Sequence, residues 1–97
     1  MELESAAACC AELGNTTRLS IFRLLVKAGN EGLPVGEIQK HLGIPGSTLS
    51  HHIQRIVQVG LVHQRRDSRT LYCEPQISAI KDLARLSVVG MLLHEMS

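Results

Sequence analysis

Between Ser47 and Arg55 the chain sets out hydroxyl, imidazole, carboxamide and guanidinium groups, with apolar residues interleaved among them. Leu49, Ile53, Ile56 and Val57 recur at i, i+4, i+7 and i+8, one face of a 3.6-residue period. Thr48, Ser50, His51, Gln54 and Arg55 are thereby turned to the opposite face. Serine and threonine hydroxyls can address several base edges, and a glutamine carboxamide can make a paired contact with adenine. A helix that buries one side and offers these groups on the other is what a DNA major groove admits. His52 lies nearer the helix flank, within reach of phosphate. Ser47, just ahead, can serve as N-cap, as phosphate ligand, or as both. The alternative for the whole set is an ordinary solvated helix face.

Three arginines follow at once. Arg65, Arg66 and Arg69 fit phosphate binding, with one of them entering the minor groove. The alternative is a loop tip charged for solubility. Arg18, far upstream, is a further phosphate candidate, and an intrahelical partner role or solvation explains it equally. Tyr72 fits a packing role. Base-stacking platforms need several aromatics, and Phe22 and Tyr72 are the only two in the chain.

Net charge is only +1, so distribution carries the argument rather than the total. From Ser47 to Tyr72 there are four arginines and three histidines against the single acid Asp67. The first fourteen residues instead hold three glutamates and neither Lys nor Arg.

Ninety-seven residues that are 44% apolar suit one domain, residues 1–97, whose core is Leu, Ile, Val and Ala between helices. A chain this short has little stability to spare, which favours a dimer burying further apolar helix surface. The opening MELE lacks the basic region of a signal peptide, and the longest apolar run falls well short of a bilayer span. The expectation is a cytoplasmic protein without membrane contact, whose three cysteines stay reduced.

The elements that position these groups are legible from punctuation. An Ala-rich helix over 3–13 ends at Gly14. Asn15 or Thr16 caps a second helix, Thr17 to Ala28, with Leu19, Phe22, Leu25 and Val26 turned inward. Pro34 opens a third helix, Val35 to Leu42, closed by Gly43. A fourth runs from about Ser47 to Val59 and stops at Gly60, where a left-handed residue is expected. Two extended runs, Leu61 to Arg66 and Thr70 to Glu74, flank Asp67-Ser68-Arg69 as a hairpin. A last helix, about 76–96, carries Ile77, Ile80, Leu83, Ala84, Val88, Met91 and Leu92. The fold class is mostly α with a small β-hairpin wing, in the order α-α-α-α-β-β-α. The two terminal helices, 3–13 and 76–96, are the expected dimer surface.

Four segments together resemble the ArsR/SmtB family of bacterial winged helix-turn-helix repressors, along nearly the whole chain. AELGNTTRLSIFRLL is similar to the family's opening L-x-x-x-T-R-L-x-I-L. LPVGEIQKHLGIPGSTLSHHIQRIVQVGLV is similar to its helix-turn-helix. RRDSRTLYCEP is similar to its wing, usually R-x-G-R-x-x-Y, and the last helix occupies the place of its dimerisation helix. The resemblance implies a homodimer on an imperfect palindromic operator, blocking transcription until a chemical signal releases it. Two recognition helices related by a two-fold axis read half-sites roughly 34–36 Å apart.

The resemblance also frames the signal. Metal-sensing members carry a thiolate pair in the third helix, in a pattern like L-C-V-C-D-L, where this chain reads Leu33-Pro34-Val35-Gly36-Glu37-Ile38. That pair is missing. A second family site draws Asp and His from the C-terminal helices. Asp82, His94 and Glu95 are present here without the family's D-x-H start, and His94 equally fits a solvated or capping role. Cys9 and Cys10 remain, with Cys73 as the one conceivable third ligand. Adjacent N-terminal cysteines in some arsenic-responsive relatives take a thiophilic metalloid, chemistry that soft thiolates suit. They also fit a redox sensor, or simple packing as small apolar residues in an Ala-rich helix. Successive helical residues project about 100° apart, so at most one of the pair is fully buried. No cofactor is required on any of these readings.

No Ser-His-Asp set, Gly-rich phosphate loop, HExxH or CxxC appears, which argues against an enzyme. His51 and His52 are adjacent rather than i, i+4 and cannot readily chelate one metal. The remaining alternative is a winged-helix protein-protein interaction module without DNA binding. It predicts an apolar outward face on the fourth helix and an uncharged wing.

Overall fold

Leu49, Ile53 and Ile56 lie on one side of a helix, and all three are fully buried. Each such side chain contributes about 1.5–3 kcal/mol of apolar burial, so this face sets how the helix is rotated against the rest of the chain. A computed structural model describes residues 1–86. Its elements are α1 (Leu3–Leu13), α2 (Thr16–Ala28), β1 (Leu33–Pro34), α3 (Val35–Leu42), α4 (Gly46–Gln58), β2 (Val62–Asp67), β3 (Thr70–Pro75) and α5 (Ile77–Ala84). The core joins Ile21 and Leu25 of α2, Ile38 of α3, the inner face of α4, and Leu61, Val62 and Cys73 of the wing. Ala6 and Cys9 of α1 and Leu83 of α5 close it.

The helix boundaries follow local chemistry. Asn15 caps α2 by accepting the Arg18 backbone N–H at 3.0 Å, as its side chain is suited to do. Gly43 stops α3 in the left-handed conformation, its N–H donating to the Gln39 carbonyl at 2.8 Å. Gln39 then closes the turn into α4, its Nε2 donating to the Ile44 carbonyl at 3.2 Å. Gly60, at φ 81°, ends the segment after α4 in the left-handed region. The final helix, expected over 76–96, is described from Ile77 to Ala84, and Val88, Met91, Leu92, His94 and Glu95 lie outside the described residues.

Two expectations need correction. The order contains an additional strand, because Leu33 and Pro34 pair antiparallel with β3, Leu33 opposite Cys73 and Pro34 opposite Tyr72. The sheet is therefore three-stranded, in the order β1-β3-β2, and the wing is tied to the residues that lead into α3. In α2 the inward residues are Ile21 and Leu25, with Phe22 half-buried, whereas Leu19 and Val26 are each 41% exposed. The helix is turned so that Ile21, not Leu19, meets the core.

The hairpin is tighter than three intervening residues would make it. Asp67 pairs with Thr70, leaving Ser68-Arg69 as a two-residue loop. Such loops need left-handed backbone, and Ser68 supplies it at φ 58°, the one non-glycine among the described residues to do so.

Gly32 is the glycine that the β1–β3 pairing demands. Its φ is 67°, and a Cβ there would lie 2.0 Å from the Cys73 carbonyl oxygen. Gly32→Ala should cost about 2–4 kcal/mol, combining backbone strain with overpacking. Urea unfolding checks this. A midpoint unchanged from the parent chain would mean β1 does not approach β3.

Candidate nucleic-acid interface

With its inner face buried, α4 presents Ser47, Thr48, Ser50, His51, Gln54 and Arg55 to solvent, and His52 sits half-buried at the flank. The expected outward face is thus intact. Ser47 is not the cap residue: the helix begins at Gly46, Pro45 occupies the cap position, and no side-chain cap hydrogen bond forms. Its hydroxyl stands in the first turn and remains available to a ligand. The rings of His51 and His52 are 5.7 Å apart and inclined at 58°, as expected of adjacent residues leaving a helix in different directions.

Arg55 and Arg18, both read as DNA candidates, instead share a side chain that sequence reasoning missed. Glu12 of α1 accepts two parallel hydrogen bonds from Arg55, Nε to Oε2 at 2.9 Å and Nη2 to Oε1 at 2.9 Å. Arg18 Nε donates to the Glu12 carbonyl oxygen at 2.7 Å and lies 3.3 Å from its carboxylate. The second arm of Arg18 reaches His52, Nη1 to Nδ1 at 3.1 Å. Glu12, Arg18, His52 and Arg55 therefore form one network joining α1, α2 and α4. Only 13% of the Arg18 side chain is exposed, and its guanidinium is engaged within this network. Arg55 remains half-exposed beside Glu12.

The network sets the charge states. Hydrogen bonding from Arg55 holds the Glu12 carboxyl below its ordinary range, and Glu12 raises Arg55 in return. Burial pushes the His52 pKa down from its ordinary value, and the positive charges of Arg18, His51 and Arg55 push it the same way. An arginine can only donate, so a neutral His52 accepting at Nδ1 is the form that fits.

The wing arginines divide. Arg65 lies over the Tyr72 ring, 4.5 Å from its centroid, and donates from Nε to Glu74 Oε2 at 3.1 Å. His63 meets the other oxygen of Glu74 at 2.8 Å. Arg65, first of all, and then His63 draw the Glu74 carboxyl below its ordinary range. Tyr72, half-buried on β3, is covered by Arg65 from the neighbouring strand of the same hairpin. Arg66 and Arg69 are exposed and have no ion pair or hydrogen-bond partner among the described residues. They are the wing's uncommitted cations. The interaction-module alternative expects the reverse of this polar helix face and charged wing.

The cysteines are separated. Cys9 is fully buried and its Sγ donates to the Val59 carbonyl at 3.4 Å, while Cys10 is exposed. Burial, followed by the nearby Cys10, pushes the Cys9 thiol up. Cys73 is buried within the sheet, where burial raises its thiol against a contact from Gln64 Nε2 at 3.7 Å. Among the described residues no three or more His, Cys, Asp or Glu side chains come together to hold a metal ion.

Residues 13–65 match a family model for a helix-turn-helix domain. The nodulation protein NolR of Rhizobium meliloti is 32% identical over 91 residues, which is 94% of this chain and 68% of that protein. The putative arsenical resistance operon repressor ArsR of Halobacterium salinarum is 36% identical over 67 residues, 69% of this chain and 51% of that one. The chain belongs to the ArsR/SmtB family. Among solved structures, the homodimeric winged helix-turn-helix DNA-binding domain of Mb0332 from Mycobacterium bovis, described as a possible ArsR-family regulator, superposes with a TM-score of 0.68. It is 29% identical, with 96% of this chain and 81% of that domain covered. As an ArsR/SmtB protein the chain is a DNA-binding transcriptional regulator. No helix among the described residues is long and apolar enough to cross a membrane.

His52 gives the interface a pH signature. Its folded pKa lies below the ordinary 6.5, so on acidification the unfolded chain takes up the proton first. The contribution to stability is complete above that ordinary value and is lost as pH falls through the lower folded value. Thermal unfolding between pH 8 and about 5 should show a declining Tm that flattens in His52→Gln. An equal decline in both proteins would remove His52 as the cause.

Proposed function

We propose that the chain is a homodimeric repressor that binds a palindromic operator in double-stranded DNA and is released by a chemical signal. The observation that carries it is the exposed row Thr48, Ser50, His51 and Gln54 beside the two uncommitted wing cations Arg66 and Arg69. Thr48, Ser50, His51 and Gln54 read base edges, Ser47 and His52 stand toward the phosphates, and Arg66 and Arg69 hold the backbone. Arg65 contributes less directly, through Tyr72 and Glu74, by stiffening the wing.

The dimer surface is assigned to α1 and α5. The homodimeric state of the Mb0332 domain supports that reading. Residues 1–97 act as one DNA-binding unit in the cytoplasm, with no catalytic role and no required cofactor. For release, a thiophilic metalloid or an oxidant acts at Cys9 and Cys10. Engaging Cys9 means drawing its thiol away from the Val59 carbonyl, which shifts α1 against the end of α4. Cys73, buried in the sheet, takes no part.

Fluorescence anisotropy of the reduced protein on its own upstream DNA tests these assignments. Arg66→Ala/Arg69→Ala should weaken binding to all sequences alike and lower the salt slope by about 2, or roughly 0.9 per phosphate contact. Unchanged affinity would remove the wing from the interface. Arsenite or mild oxidant should release the parent protein and leave Cys9→Ser/Cys10→Ser bound. Release of both proteins alike, or of neither, would reduce the cysteine pair to packing.

A further inference from the structure

The rotation of α2 that leaves Val26 outside the core opens a groove of about 660 Å³ between α2, α3 and α5. This lies within the roughly 300–1,000 Å³ typical of small-molecule sites. Its apolar lining is Phe22, Leu24 and Val26 from α2, Leu42 from α3 and Ile80 from α5. The polar lining is Ser20 with three basic side chains, Arg23, Lys27 and His41. Among the described residues no acidic side chain lines it. Ser20 is occupied, its Oγ donating to the Thr16 carbonyl at 3.0 Å. His41 holds its Nδ1 2.9 Å from the Glu37 carbonyl oxygen, which fixes the ring and leaves Nε2 to the groove. Arg23 and Lys27 have no ion-pair or hydrogen-bond partner among the described residues, although Glu12, Glu37, Glu74 and Asp82 each hold a cation elsewhere.

An apolar trough bordered, among the described residues, by uncommitted cations and by no acid has the complement of one ligand class. We propose that this groove binds an amphipathic organic anion, a carboxylate or sulfonate carried on an apolar body. The body covers Phe22, Val26 and Ile80, and the acid group meets Arg23 and Lys27, where charge-assisted hydrogen bonds are strongest. The site is separate from the α4 face and from Cys9 and Cys10. Its occupant touches α3, which leads into the recognition helix, and α5, so occupancy is coupled to DNA binding. That last step rests on the operator reading; occupancy itself does not.

Decanoate and its neutral counterpart decanol are the probes, titrated into the full chain without DNA and followed by heteronuclear NMR. Decanoate should shift the amides of α2, α3 and α5 and bind at least about tenfold more tightly than decanol, the equivalent of one favourable ionic contact. Arg23→Gln/Lys27→Gln should remove that preference and leave decanol binding as it was, while Arg66→Ala/Arg69→Ala should leave decanoate binding unchanged. Equal binding of the two probes, shifts confined to the wing, or no binding would each overturn the proposal. So would decanoate affinity that falls from dilute to concentrated protein, which would identify a second copy of the chain as the occupant. Anisotropy on DNA with and without decanoate then reads the coupling. Decanoate that binds but leaves DNA affinity unaltered would overturn the coupling and leave the site standing, whereas a chain that binds decanoate but no DNA would fail the operator reading alone.

Discussion

The burial of Leu49, Ile53 and Ile56 is the constraint on which the interface depends. These residues recur at helical spacing, so satisfying them fixes the rotation of α4 about its own axis. Once that is fixed, Thr48, Ser50, His51 and Gln54 can only face outward. That outward row is therefore held in place from behind, by side chains on the buried face of the same helix. A loss of volume at Ile53 would cost about 0.5–1.5 kcal/mol even as the mild change to valine, and the more serious consequence would be a recognition helix free to roll.

Rotation is only one coordinate. The placement of α4 along and across the domain is set by Glu12, which holds Arg55 by a paired ionic contact, and by Arg18, which bridges the Glu12 backbone to His52. The Cys9 thiol adds a second tie between α1 and the end of α4, at Val59. The first helix is thus connected to the recognition helix at two points, one ionic and one through a buried thiol. A displacement of α1 cannot leave α4 undisturbed.

Much of this was legible in the sequence because it is local. The period of Leu49, Ile53 and Ile56, the stops at Gly43 and Gly60, and the turn at Asp67-Ser68-Arg69 all act within a few residues of themselves. What escaped was non-local. The strand Leu33–Pro34 is two residues long and contains a proline, and only its pairing with Cys73 and Tyr72 makes it a strand. Arg55 looked uncommitted because its partner Glu12 lies 43 residues away, and nothing in an Ala-rich first helix marks one of its acids as a hub. Leu19 and Ile21 are both apolar and two residues apart, so hydropathy alone did not decide which of them faces the core.

Among the described residues the three-stranded sheet leaves β2 with a neighbour on one side only, since β3 pairs with both β1 and β2. An unpaired strand edge is a template on which another chain can extend the sheet, and folded proteins guard such edges with charge. Along β2 the exposed residues are His63, Arg65, Arg66 and Asp67, a poor surface for a second strand of the same kind. The residues that make the wing cationic thus also discourage aggregation through it. The charge of this hairpin has a structural use that is indifferent to DNA.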